Sequence, residues 1–289
     1  MNLTSGAKDP FKEFYSHRWA LNYGDTDKKE TPEFWNERAA DFAAKAHSES
    51  ARRESEQFLS RFSWSADETV LDVAAGPGTF AIPLARRVAS ITATDFSAEM
   101  LNELSRIAEL EKLDNILTIQ GRWLEIAQPA LHDTVLCLNS LGVISTDAHH
   151  KSRLEDCLKK LAASCRKRLI MLIPHADSPL EPDLRKEMGL DEISMERRRV
   201  AILYYAMVDC GMLPSLHIIR RPFRWTFKDE AEAVETLLLK GGVEKNPETE
   251  AIMADYLKTR LKKEDNDRFS LAYDVSQALY VWNRLTDWQ

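Results

Sequence analysis

A short apolar run at residues 69–73 (Thr69, Val70, Leu71, Asp72, Val73) opens into Ala74-Ala75-Gly76-Pro77-Gly78, and a helical pattern follows directly. This feature constrains the fold most. Glycines between a strand and a helix let the chain turn sharply and let its backbone approach a ligand closely. The alternation then continues. Residues 79–88 read as helix, 90–94 as strand, 97–113 as helix, 116–119 and 134–138 as strands, 153–164 as helix and 168–173 as strand. Strand and helix in turn predict a parallel sheet with helices on both faces. Strands buried on both faces should be continuously apolar, as Leu169-Ile170-Met171-Leu172-Ile173 is.

The flanks differ from this middle. Residues 1–30 are polar with interleaved aromatics: Phe11, Phe14, Tyr15, Trp19 and Tyr23. A helix start is marked by Thr31 as N-cap, Pro32 at the first helical position and Glu33 facing the positive dipole end. Trp35, Ala39, Phe42 and Ala43 then recur at helical spacing. A second helix is expected over 54–62. Beyond the fifth strand we expect a helix at 195–212, a strand at 216–227 bent at Pro222, helices at 229–240 and 248–262 separated by Gly241-Gly242, and a last strand at 271–282. Residues 1–64 thus read as a helical lid. Residues 65–289 read as one α/β domain with a helical insertion at about 229–264. The chain's 289 residues, 44% of them hydrophobic, suffice for such a core.

Several classes are disfavoured. The formal net charge of -7 weakens a nucleic-acid reading, since a fold that tracks phosphates usually carries a basic face. Four cysteines, at 137, 157, 165 and 210, are too few and too widely spaced for a disulfide framework or a zinc site. The longest apolar runs are of strand length, and residues 1–8 lack a signal peptide's apolar stretch. We therefore expect a cytoplasmic protein, without membrane or nucleic-acid partners.

The glycine loop allows two ligands. Gly76-Pro77-Gly78-Thr79-Phe80-Ala81 fits the G-x-G-x-x-A dinucleotide pattern. Asp72, four residues before Gly76, argues the other way: a carboxylate sits poorly beside a pyrophosphate and suits an ammonium group. S-adenosylmethionine carries one on its methionine end. Asp95 ends the next strand, where a carboxylate can accept bonds from ribose hydroxyls, and Phe96 can pack on an adenine face. The alternative for Asp95 and Ser97 is helix capping.

Asp72 to Gly78, followed one βαβ unit later by Thr94-Asp95-Phe96-Ser97-Ala98-Glu99-Met100-Leu101, resembles the class I S-adenosylmethionine-dependent methyltransferases. The resemblance is clear over about residues 66–175 and elsewhere rests on element order. It implies a doubly wound, Rossmann-like sheet of seven strands, mostly parallel, the last inserted antiparallel between the fifth and sixth. It implies S-adenosylmethionine as cofactor, S-adenosylhomocysteine as product, and a cofactor-binding set of Asp72, Ala74, Gly76, Gly78, Asp95, Phe96, Met100, Gly121, Arg122, Trp123 and Asn139.

Two positions depart from the family pattern. Ala74 stands at the first glycine of D/E-x-G-x-G-x-G, which is expected only if φ there is negative. Gln120-Gly121-Arg122-Trp123 replaces an acidic contact to the adenine amine, and an Arg cannot accept a bond. Backbone groups and the Trp123 ring are the substitutes, unless Trp123 simply packs beneath the loop.

Leu138-Asn139-Ser140-Leu141 lacks the N/D/S-P-P-Y/F/W signature of amino-directed nucleic-acid enzymes, and no Pro-Cys pair marks a cytosine-C5 enzyme. A small-molecule acceptor is therefore expected, with a homodimer possible. His175 and Tyr15 are candidate bases or lid groups, with Trp19 and Tyr23 beside the latter. Arg197-Arg198-Arg199 and Arg220-Arg221 are candidate anion sites or solvated faces. The competing functions are a non-catalytic S-adenosylmethionine-binding protein and a nicotinamide-dependent oxidoreductase.

Overall fold

The computed structural model describes residues 31–147, 152–176, 180, 182–190, 195–264 and 267–284. Tyr15, Trp19 and Tyr23 lie outside them. By contacts the chain falls into two compact units. One holds Met1–Ile173, Ile202–Leu216 and Leu279–Gln289; the other holds Pro174–Ala201 and His217–Ala278.

The first unit is built on β1 (Thr69–Val73), β2 (Ser90–Asp95), β3 (Ile116–Gln120), β4 (His132–Leu138) and β5 (Cys165–Ala176), all paired in parallel in the order β3-β2-β1-β4-β5. The sheet order continues with β8 (Phe269–Asn283) and then β6 (Ser215–Phe227). The last long strand therefore sits between the fifth and sixth, as the resemblance implied. A two-residue strand, β7 (Lys262–Lys263), pairs antiparallel with β8 in addition to the seven expected.

The central strands are apolar because both their faces are covered. Val70, Leu71, Ala93, Val135, Leu136, Leu169 and Ile170 are buried; α4 (Ala81–Ala85) and α5 (Ala98–Leu110) pack against β2, and α6 (Leu141–Ile144) and α7 (Leu154–Ala163) follow β4 in the chain. Helix α4 is shorter than the expected 79–88. Pro83 lies inside it and withholds an N–H from the helical ladder.

The segment before β1 folds as α1 (Pro32–Asn36), α2 (Ala39–Ala46) and α3 (Glu49–Leu59). Thr31 caps α1 as expected, its Oγ1 accepting from Phe34 N at 3.2 Å. The single amphipathic helix expected there is broken at Glu37–Arg38. Helix α3 starts earlier than the expected 54, because Ser48 caps it by accepting from Ala51 N.

At the starts of the strands, two polar clusters set the register. Thr69 N and Oγ1 both donate to Asp133 Oδ2 at 3.0 Å, tying β1 to β4. Arg168 donates to Glu68 Oε1 at 2.8 Å, to Thr134 Oγ1 at 2.8 Å and to Ser63 O at 2.9 Å, and its guanidinium lies 4.5 Å from the Trp64 ring centroid. Glu68 and Thr134 are buried. Removing the cation leaves a buried carboxylate uncompensated. Arg168→Ala should therefore lower the unfolding free energy by about 3 kcal/mol in urea denaturation. A loss below about 1 kcal/mol would show the cluster to be solvated.

The second unit packs α10 (Glu230–Gly241) and α11 (Pro247–Lys258), which form most of the expected 229–264 insertion, against α8 (Pro182–Glu187) and the strands. Leu180, Leu184, Phe227, Leu237, Met253 and Leu257 are its core. Helix α9 (Met195–Asp209) is shared between the units. Gly242, at φ +66°, ends α10 as a left-handed cap. Strand β6 passes Pro222 without interruption. Strand β5 runs to Ala176, so His175 lies within it rather than after it. Cys137, Cys157 and Cys165 are buried free thiols. Among the described residues no helix is long and apolar enough to cross a membrane, and no His/Cys/Asp/Glu group could hold a metal ion.

Candidate functional site

Strands β1 and β2 lie side by side with Asp72 paired to Ala93 and Val73 to Thr94, so the loops leaving both carry their residues to one edge of the sheet. Gly76 N donates to Asp95 Oδ2 and Ser97 N to Asp95 Oδ1, each at 2.9 Å. Asp95 therefore braces the glycine loop against the loop that follows β2. This separates the two capping alternatives. Ser97 is the N-cap of α5, its Oγ accepting from Met100 N at 3.2 Å, while Asp95 joins the two loops.

The backbone turns through the left-handed region three times, at Ala74 (φ +57°), Gly76 (φ +56°) and Gly78 (φ +83°). At Gly78 a Cβ would also lie 2.9 Å from Leu104 Cγ, so the glycine serves helix packing as well as the turn. Ala74 contradicts the expectation of a negative φ. Its geometry is imposed by neighbours: Ala75 N donates to Thr94 O at 2.9 Å, and the Asp95 brace holds Gly76. A non-glycine residue in this region costs about 1–2 kcal/mol. Ala74→Gly relieves that strain but adds freedom to the unfolded chain. We expect a net stabilisation of about 0.5–1 kcal/mol, read as a raised denaturation midpoint; a lowered midpoint would contradict the strain.

The electrostatics centre on two carboxylates. Asp72 is 3% exposed, and its Oδ2 is buried without a hydrogen-bond partner among the described residues. Burial first, and then the charge of Asp95, push the Asp72 carboxyl up to about 7. Burial also raises Asp95, opposed by the N–H groups of Ser97, Gly76 and Phe96. An orphaned buried acceptor beside a second carboxylate is a place where a cation or ammonium donor would be stabilised.

A pocket opens over this edge, lined by Ala74, Thr94, Asp95, Phe96, Gly121, Arg122, Trp123, Val143, Ile144 and Thr146. Gly121 N donates to Asp95 O at 2.8 Å. Its φ is +153°, and a Cβ there would lie 2.3 Å from Ile126 Cγ2. The Arg122 guanidinium stands 5.3 Å from the Phe96 ring centroid. Trp123 is 3% exposed and lies 4.9 Å, centroid to nitrogen, from Lys160 Nζ, which also donates to Trp123 O at 2.6 Å. The Trp123 Nε1–H is buried with no acceptor among the described residues.

Of the residues expected from sequence, Ala74, Asp95, Phe96, Gly121, Arg122 and Trp123 meet in this lining. Gly76 and Gly78 shape the loop, and Asp72 is buried near the end of β1. Met100 is buried in α5. Asn139 is exposed at the end of β4, at φ +60°, with its N–H donating to Leu172 O at 2.7 Å. Neither Met100 nor Asn139 lines the pocket. His175 belongs to the second unit, where its Nδ1 pairs with Ser276 Oγ at 2.8 Å. Arg198 and Arg199 lie on α9, and Arg220 and Arg221 on β6. Sequence reading missed Thr94, Val143, Ile144 and Thr146. The last three lie on or just after α6, a four-residue helix with no cap or periodicity to announce it.

Residues 70–166 match the family model for a methyltransferase domain. An uncharacterized protein of Haemophilus influenzae is 29% identical over 138 residues, covering 48% of this chain and 49% of that one. The chain thus spans about half the length of the curated relative it matches. Among solved structures, a candidate methyltransferase from Bacillus halodurans shares 16% identity over 82% of this chain and 100% of that one, with a TM-score of 0.50. That likeness is one of fold: a Rossmann-like α/β sheet.

Proposed function

We propose, with a class I methyltransferase domain as the premise, that this chain binds S-adenosylmethionine over the ends of β1 and β2 and transfers its methyl group to a small-molecule acceptor. One observation carries the reading: the buried, unpartnered Oδ2 of Asp72. An acceptor left orphaned in a protein interior costs free energy until a donor meets it. An ammonium group supplies donors and a compensating charge. A pyrophosphate would bring a like charge to the same place, which argues against the nicotinamide reading.

The other residues fit the same ligand. Asp95 has both oxygens on backbone N–H groups, and a carboxylate keeps further lone pairs with which to accept ribose hydroxyls. Phe96, Trp123, Val143 and Ile144 offer apolar walls for a purine, and the orphaned Trp123 Nε1–H offers it a donor. Gly121 brings bare backbone to the pocket lining. Bound there, S-adenosylmethionine would supply a methyl carbon already activated by its sulfonium sulfur.

The chain's own task is then alignment and exclusion of water. Holding reactants in a near-attack geometry can supply most of what an in-line displacement needs. Among the described residues no histidine lines the pocket, and alignment alone can carry transfer to an acceptor that enters without a proton to lose. In this reading the described helices before β1 serve as cover. A net charge of -7 favours a small acceptor over a nucleic acid.

The test is label transfer. The whole chain is incubated with methyl-labelled S-adenosylmethionine and a cell extract. Label should appear in the dialysable fraction. Label confined to protein or nucleic acid would overturn the small acceptor, and no transfer at all would overturn the enzymatic reading.

A further inference from the structure

The helices that precede β1 touch both loops of the pocket. Asn36, the last residue of α1, accepts with Oδ1 from Ser97 Oγ at 2.7 Å and from Glu99 N at 3.3 Å. Both partners lie at the start of α5, directly after Asp95. His47, the C-cap of α2, lies with Nε2 2.8 Å from Pro77 O, between Gly76 and Gly78. Phe42 stands next to the same loop: a Cβ on Gly76 would lie 4.0 Å from Phe42 Cε1.

The chemistry of these contacts is determined by their partners. A hydroxyl has one hydrogen to donate, and Ser97 gives it to Asn36, leaving its lone pairs for Met100 N. Glu99 N can only donate, so the Asn36 amide must present oxygen. Pro77 O can only accept, so His47 carries its proton on Nε2. Burial keeps the His47 pKa low despite this bond. The segment is fastened from behind: Ala43 packs with Ile82, Ile107 and Ala108, and Trp35 meets Phe42 edge-on at 5.8 Å.

We infer that Asn36 and His47 are positioning residues for the cofactor site. Each reaches from the N-terminal helices to one side of the site, His47 to the Pro77 carbonyl of the glycine loop and Asn36 to the Ser97 hydroxyl and Glu99 N–H where the β2–α5 loop enters its helix, and holds it in binding shape. Asn36 secures the β2–α5 loop and His47 the glycine loop. Asp95 joins the two loops from within, and the pair joins them from without. The N-terminal helices are thus part of the cofactor site as well as a cover. This inference rests on the S-adenosylmethionine reading above.

The experiment has two readouts on the full chain. Calorimetry with S-adenosylhomocysteine is run on the wild type, Asn36→Ala, His47→Ala, and the conservative Asn36→Asp and His47→Gln. Each Ala variant should bind about 10-fold more weakly, and each conservative variant should recover most of the loss. Hydrogen exchange is run without ligand. His47→Ala should speed exchange at 75–78 and Asn36→Ala at 97–100, with β4 and β5 amides unchanged in both. A merely structural role would instead speed exchange throughout the unit, and that result overturns the inference. So does wild-type affinity in the Ala variants, or unchanged exchange at the loops. A wild type that does not bind S-adenosylhomocysteine overturns the cofactor reading, and this inference with it.

Discussion

Asp72→Asn should raise the stability of the ligand-free protein at pH 8 and weaken S-adenosylhomocysteine binding by about 100-fold. The two effects share one cause. The Asp72 carboxyl is buried beside Asp95 and titrates at about 7 in the fold, against 3.8 ordinarily. Between those values the folded protein holds a proton that the unfolded chain has released. Stability from this group therefore falls as pH rises from about 4 to 7, and the cost is complete above 7. A neutral amide of the same shape escapes it. The stabilisation at pH 8 should be on the order of 3 kcal/mol and should vanish near pH 4.

Binding runs the other way. An ammonium beside Asp72 favours the ionised carboxylate, so wild-type affinity should increase with pH up to about 7 and then level off. Asn keeps an acceptor but loses the charge, and truncating one partner of a buried charge pair costs about 2–5 kcal/mol. Denaturation at pH 5 and 8, with calorimetry at both, reads both effects. Equal affinity in the two proteins would remove Asp72 from the ammonium role.

Gly121→Ala is the second large effect, and it is one of stability. The new Cβ would stand 2.3 Å from Ile126 Cγ2, at a backbone φ of +153° that side chains rarely adopt. Overpacking and left-handed strain each cost about 1–3 kcal/mol. Together they should remove about 3 kcal/mol or more in urea denaturation. Gly121→Ala with Ile126→Ala should relieve the clash but not the strain. A Gly121→Ala protein as stable as wild type would mean that the loop after β3 moves freely.

Much of this site was legible because its signals are local. The run at 69–73, the glycines at 76 and 78 and the carboxylate at 95 each announce themselves within a few residues. What escaped depends on distant partners. The positive φ of Ala74 comes from bonds made by Ala75 to Thr94 and by Gly76 to Asp95. Asp95 looked like either a ribose ligand or a cap. Its brace role needs two loops brought together, and spacing along the chain does not show that. Val143, Ile144 and Thr146 enter the pocket through a helix too short to have a period. Asn36 and His47 were invisible for the same reason, since their partners lie 61 and 30 residues away. Some misses were local after all. Pro83 should have shortened α4, and Ser48 followed by Glu49 should have moved the start of α3.

In the proposed reading, the orphaned carboxylate of β1 and the brace of β2 form an S-adenosylmethionine site. Calorimetric titration of the whole chain with S-adenosylhomocysteine, and in parallel with NAD, tests it most directly. One site per chain is expected for S-adenosylhomocysteine, much weakened in Asp95→Ala, with no heat of binding for NAD. Binding of NAD without S-adenosylhomocysteine, or unchanged S-adenosylhomocysteine affinity in Asp95→Ala, would contradict it.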